Sequence, residues 1–177
     1  MGVFSEWSES RERRRRAAAY LRRLSLRGTS IDTQWLTRAG STELLADREL
    51  RFMHRAMALI VSERDALDDR TASEVARSLA PTIASEAVHS PETGRLWADR
   101  WREYTAALAV RGTVESPSAR LARVLIAGAG IAGVNAELLT SATHAVQAAR
   151  NVANESLRAA FGVASLPDDV RPSAINS

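Results

Sequence analysis

Residues 124–133 read Val124-Leu125-Ile126-Ala127-Gly128-Ala129-Gly130-Ile131-Ala132-Gly133. Two structures compete for this stretch, and the fold follows from the choice. Four apolar residues before Gly128, Gly130 and Gly133 can form a strand that runs into a glycine turn. The same residues also fall inside a helical pattern that extends from Ser116 to Gly162.

On the first reading the glycines satisfy G-x-G-x-x-G, and the segment looks like the first turn of flavin- and nicotinamide-binding enzymes. That resemblance implies a tight turn, backbone against a pyrophosphate, and close packing of helix on strand. It also implies a βαβ unit with an acidic residue about 20 positions on. Glu155 has that offset, but it sits in Asn154-Glu155-Ser156-Leu157, which reads as helix. Residues 134–160 offer no second strand, and only 44 residues follow Gly133.

On the second reading the stretch is the middle of one long helix. Ser116 suits an N-cap and Pro117 the first helical turn, where a missing N–H costs nothing. Leu121, Val124, Gly128, Ile131, Asn135, Leu138, Ala142, Ala145, Ala149 and Val152 then recur at alternating spacings of three and four, the stripe of a helix packed on a helix. Gly162 is a natural C-cap. Unbroken, the rod is about 65–70 Å long at 1.5 Å per residue. Gly128, Gly130 and Gly133 each cost such a helix about 1 kcal/mol relative to alanine. Close packing against another helix is the expected compensation. The helical reading is adopted, and with it an all-α fold.

The 177 residues suffice for one domain with a sizeable core. Cysteine is absent, which removes disulfides and thiolate metal sites. No apolar run reaches the 18 or so residues of a membrane span, and no apolar core follows the early arginines as in a secretory signal. A cytoplasmic protein is expected. All 24 basic residues are arginine. Residues 1–27 hold eight of them against three glutamates, a surplus of five, while the remainder holds 16 against 18 acids. The high isoelectric point therefore belongs to the N-terminal segment.

Along the chain, Ser8 or Ser10 caps a first helix that ends near Arg27 and Gly28, with Ala17, Tyr20, Leu21 and Leu24 on one face. Its first half, Arg11 to Arg16, has arginines all around the axis and is expected to project outward. Asp32 caps a short helix over 33–39. The next runs from Thr42 to Leu67, burying Leu50, Met53, Met57, Ile60 and Val61. Thr71 and Glu74 have capping-box spacing and precede a helix burying Val75, Leu79, Ile83 and Val88, which Pro81 must kink or divide. Ser90-Pro91 opens a helix with Trp97, Trp101, Tyr104 and Leu108 on one face, and Gly112 closes it.

Few residues carry candidate chemistry. Glu86-Ala87-Val88-His89 has the E-x-x-H spacing that four-helix di-iron proteins use twice; this chain has one copy. Arg48 and His54 form an R-x5-H that resembles the catalytic motif of HEPN-type helical ribonucleases. That resemblance covers seven residues and implies Arg48 and His54 facing RNA across a dimer. Glu49 stands where the pattern usually has a polar residue after the arginine, a departure, and the motif lies early in the chain.

These readings give an all-α, single-domain bundle of five or six helices with one long C-terminal Ala/Gly-rich helix. Residues 1–27 are a basic arm, 28–165 the bundle and 166–177 an irregular tail. The expected function is non-enzymatic: a self-associating protein whose Arg11, Arg13, Arg14, Arg15, Arg16, Arg22 and Arg23 contact a polyanion, with nucleic acid ahead of an anionic membrane surface. Gly128, Gly130 and Gly133 are the helix-packing residues. No cofactor, metal or small-molecule substrate is implied. A helical enzyme, metal-dependent through Glu86 and His89 or ribonucleolytic through Arg48 and His54, is the alternative.

Overall fold

The structure is a computed structural model that describes residues 2–27, 33–64, 69–110, 112 and 114–162. The described residues are all-helical, with no strand, and form seven helices: α1 Gly2–Arg27, α2 Gln34–Arg38, α3 Glu43–Arg64, α4 Asp69–His89, α5 Pro91–Ala109, α6 Pro117–Gly128 and α7 Ala136–Phe161. The strand alternative for Val124 to Ala127 is therefore overturned, because these residues are the last turns of α6. The expected caps Gly28 and Asp32, the helix end at Leu67 and the tail lie outside the described residues.

The single rod is also overturned. Two helices replace it, and this raises the count above the five or six expected. The physical reason lies in the glycines. Gly130 adopts φ +75°, its N–H donates to Ala127 O, and Ile131 N–H donates to Ile126 O. These are the paired bonds of a Schellman motif, and the apolar residues that flank it, Ile126 and Ile131, are both buried. A glycine that cost an unbroken helix about 1 kcal/mol instead supplies the left-handed residue that ends it. Asn135 then caps α7, its side chain accepting from Leu138 N–H at 2.8 Å.

The same device ends α2. Gly40 has φ +106°, Gly40 N–H bonds Thr37 O and Ser41 N–H bonds Leu36 O. The two caps meet: Ser41 Oγ donates to Ala129 O at 2.7 Å. A helix C-terminus leaves carbonyls without intrahelical partners, and here one cap supplies a donor to the other.

Helix α3 is the centre of the molecule and packs against α2, α4, α5, α6 and α7. Its expected stripe of Leu50, Met53, Met57, Ile60 and Val61 is buried throughout. Helix α1 lies along α4 and α7. Ala17 and Tyr20 are fully buried there, and Tyr20 Oη donates to Ala58 O of α3 at 2.9 Å. On α5, Trp97 and Tyr104 are buried while Trp101 and Leu108 pack at the edge. Phe52 and Trp97 rings lie 5.5 Å apart, and Trp97 stacks on Trp101 at 6.0 Å.

Further expectations need correction. The buried stripe of α7 is Leu138, Ala142, Val146, Ala149, Ala153, Leu157 and Phe161. The alternating pattern anticipated Ala145 and Val152 instead. A straight helix turns every 3.6 residues and slips past a 3.5-residue repeat. Thr71 is the third residue of α4 rather than its N-cap, and Glu74 pairs with Arg77 and Arg14. Pro81 lies inside α4 without dividing it, and Val88 is 80% exposed rather than buried.

Candidate polyanion surface

Helix α1 is amphipathic in an uneven way, and its position decides which arginines face water. Ala17 and Tyr20 turn inward. At 100° per residue, Arg11, Arg15 and Arg22 then fall within about 40° of one another on the opposite, outer crest. Arg14 lies to one side of that crest and approaches Glu74 of α4, Nε to Oε2 3.8 Å. Arg16 and Arg23 lie to the other side, toward α7. Arg13 is the inward exception, with its side chain only 26% exposed and 3.7 Å from Glu9.

Apart from Glu74, the acidic partners are few and local. Glu12 accepts from Arg16 Nε at 3.0 Å and lies 3.8 Å from Arg15 Nη1. Arg11 stacks over the Trp7 ring at 5.4 Å. Arg22 and Arg23 are exposed and form no ion pair among the described residues. From Arg11 to Arg22 the crest extends about 16–17 Å at 1.5 Å per residue.

Between this face and the end of α7 runs an open groove of about 450 Å³. Arg15, Arg16, Arg22 and Arg23 line it with Glu12, and its floor is Ala19, Ala159, Ala160, Phe161 and Gly162. Sequence reasoning identified the arginines but not the groove, because the α7 contribution comes from more than 130 residues away along the chain.

The glycine positions have separate roles. Gly128 is buried against two side chains from other helices, Glu49 of α3 and Arg100 of α5. Gly130 makes the turn. Gly133 is exposed, and a Cβ there would meet nothing within 4 Å.

Glu49 belongs to a buried charge cluster that the sequence reading did not anticipate. Its carboxylate is fully buried. Arg100 Nε lies 2.8 Å from Oε2, and Arg100 Nη2 and Arg48 Nη2 lie 3.3 and 3.5 Å from Oε1. Arg100 also pairs with Glu103. Burial raises the Glu49 carboxyl above the usual carboxylate range, and the charges of Arg100 and Arg48 only partly oppose that. Burial works against the Arg100 charge too, but Glu49 and Glu103 outweigh it. The buried Tyr104 hydroxyl is pushed well up, first by desolvation and then by the Glu49 charge. A signal was available: Glu49 is on the stripe with Met53 (i+4) and Ala56 (i+7), and Arg100 is between Trp97 (i−3) and Tyr104 (i+4).

The enzymatic candidates are placed as follows. Arg55 Nη2 donates to both Glu86 oxygens at 2.8 Å and stands 5.0 Å over the Trp97 ring. His89 is exposed, and its Nδ1 lies 2.7 Å from Ser85 O. Glu86 is thus engaged across to α3, while His89 folds back on its own helix. Arg48 and His54 are six residues apart on α3, which separates them by about 120° around the axis. Arg48 turns to Glu49, and burial lowers the His54 pKa below the usual imidazole value. Among the described residues, no group of three His, Asp or Glu side chains could hold a metal ion, and no helix is long and apolar enough to cross a membrane.

No protein-family model, curated protein or solved structure matches the chain.

Proposed function

We propose that this protein is a non-enzymatic helical module that binds a polyanion, nucleic acid first, through the outer face of α1. One observation carries the reading: Arg11, Arg15 and Arg22 form a single exposed crest, flanked by Arg14, Arg16 and Arg23, on a helix whose opposite face is anchored by buried Ala17 and Tyr20. A guanidinium row on a docked helix neutralises phosphates without ordering a free chain first, so binding loses less conformational entropy. A cytoplasmic setting and self-association belong to the same proposal.

The test is a salt titration. Full-length protein binds duplex DNA and RNA with affinity that falls steeply with salt, and each phosphate contact removed lowers the log–log slope by about 0.9. Arg11→Ala, Arg15→Ala and Arg22→Ala together lower it by about 3 while leaving helix content unchanged. Anionic vesicles serve as the competing surface. Binding to vesicles alone moves the assignment to a membrane surface, and binding to none of them at low salt ends it.

A further inference from the structure

We propose that the groove between α1 and the end of α7 seats a single-stranded stretch of nucleic acid, so that this protein favours single strands over duplex. The inference rests on the polyanion reading above and goes beyond it by naming the form of the ligand.

The groove differs from the crest in its chemistry. Its rim is four arginines against one glutamate, and its floor is built from alanine and glycine with the largely buried Phe161. A rim of fixed positive charge over an apolar floor matches a nucleotide, which joins an anionic backbone to a flat, largely apolar base. A volume of about 450 Å³ is in the range that takes a small organic group. The alanine and glycine lining on this side carries no side chain larger than a methyl group. Arg16 and Arg23 stand on the α7 side of the helix, one above the other in turns, where their guanidinium planes can cover a base. Stacking of unpaired bases on arginine is a common mode of single-strand recognition, and a cationic groove tracking the backbone is its usual companion.

Glu12 supports this arrangement. Its carboxylate accepts from Arg16 Nε at 3.0 Å and lies 3.8 Å from Arg15 Nη1, so two of the four rim arginines have a local anchor before a ligand arrives. Arg22 and Arg23 form no such pair among the described residues and are free to neutralise phosphate. A duplex keeps its bases paired and stacked inside, so its phosphates reach the crest and rim but no base reaches the floor.

The experiment compares a labelled homopyrimidine single strand with a duplex of equal length, on full-length protein. The wild type binds the single strand about tenfold tighter, the lower part of what one stacked base contributes. Arg16→Ala with Arg23→Ala removes that preference. Arg11→Ala with Arg14→Ala, on the crest and its α4 side, weakens both ligands alike. Ala159→Leu fills the exposed floor without changing charge; it abolishes the preference and leaves duplex binding intact, which separates seating in the groove from simple charge attraction. Circular dichroism verifies that each variant stays helical. Equal, salt-dependent binding of both forms by the wild type overturns the groove proposal while the polyanion reading stands, as does an Ala159→Leu variant that keeps the preference. Binding of neither form, with or without vesicle binding, overturns both.

Discussion

A Cβ on Gly128 would lie 2.6 Å from Cδ of Glu49 and nearer still to Oε2, so the end of α6 is closed directly over a buried carboxylate. It would also lie 2.6 Å from Cζ of Arg100. The glycine therefore makes room for an ion pair between α3 and α5. Gly128→Ala is expected to destabilise the fold by about 1–3 kcal/mol, because a methyl group there displaces the charged ends of Glu49 and Arg100 from their buried pairing, which outweighs the roughly 1 kcal/mol gained in helix propensity. Gly133→Ala, with nothing near its Cβ, should stay within about 0.5 kcal/mol of wild type. Urea midpoints of the two variants decide this, and equal midpoints would show that α6 does not close on Glu49.

Gly130 carries a different constraint. Its φ of +75° is in the left-handed region, and a Cβ would stand 3.2 Å from Leu45 Cδ1. Gly130→Ala should cost about 1–2 kcal/mol from backbone conformation alone, and Gly130→Asn should cost less, since asparagine tolerates this region best among side-chain-bearing residues. If alanine stabilises the protein instead, the helix continues through this position in solution and the Schellman cap is wrong.

The Glu49 carboxyl gives a pH signature. Its pKa in the folded chain is raised above the ordinary 4.5 by burial. The folded state then holds this proton more tightly than the unfolded state does. The sign follows: the contribution of Glu49 is greatest below 4.5 and is lost as pH rises through the raised folded value. Relative to Glu49→Gln, whose side chain does not titrate, the wild type should lose stability as pH rises from 4.5. The difference in Tm between the two proteins, followed from pH 4 to 8, reads this directly because other titrations cancel. A difference that moves the opposite way would mean that Arg100 and Arg48 outweigh desolvation.

Docking of α1 is tested at its own anchor. Tyr20 Oη donates to Ala58 O inside the fold. Tyr20→Phe removes the hydroxyl that makes this bond and should cost about 0.5–1.5 kcal/mol. Hydrogen exchange should quicken along α1 before it does along α3. An unchanged stability and exchange pattern would mean that α1 is detached in solution and that its arginines have no fixed face.

Much of the architecture was legible along the chain. The Ser90-Pro91 and Ser116-Pro117 starts, the apolar stripe of α3 and the aromatic face of α5 depend on local capping and on a 3.6-residue period, which neighbouring residues dictate by themselves. The charge surplus of residues 1–27 is likewise a property of composition. Arg48 and His54, or Glu86 and His89, could be spotted by spacing, but spacing did not reveal that Arg55 holds Glu86 or that Arg48 turns to Glu49.

What the tertiary structure decided has one physical cause: contacts between residues distant in sequence outweigh propensities of about 1 kcal/mol or less. Ala129 O meets Ser41 and Ile131 is buried, so a pattern that could continue as one helix instead stops at Gly130. Ala17 and Tyr20 are buried within the fold, so arginines that surround an isolated helix are sorted into a crest, a flank beside α4 and a groove beside α7. Glu49 and Arg100 can be charged inside the core only because each lies within reach of the other, and Gly128 has no side chain to separate them. The residue types and their periods come from the sequence by itself; which faces meet is a property of the whole chain folded at once.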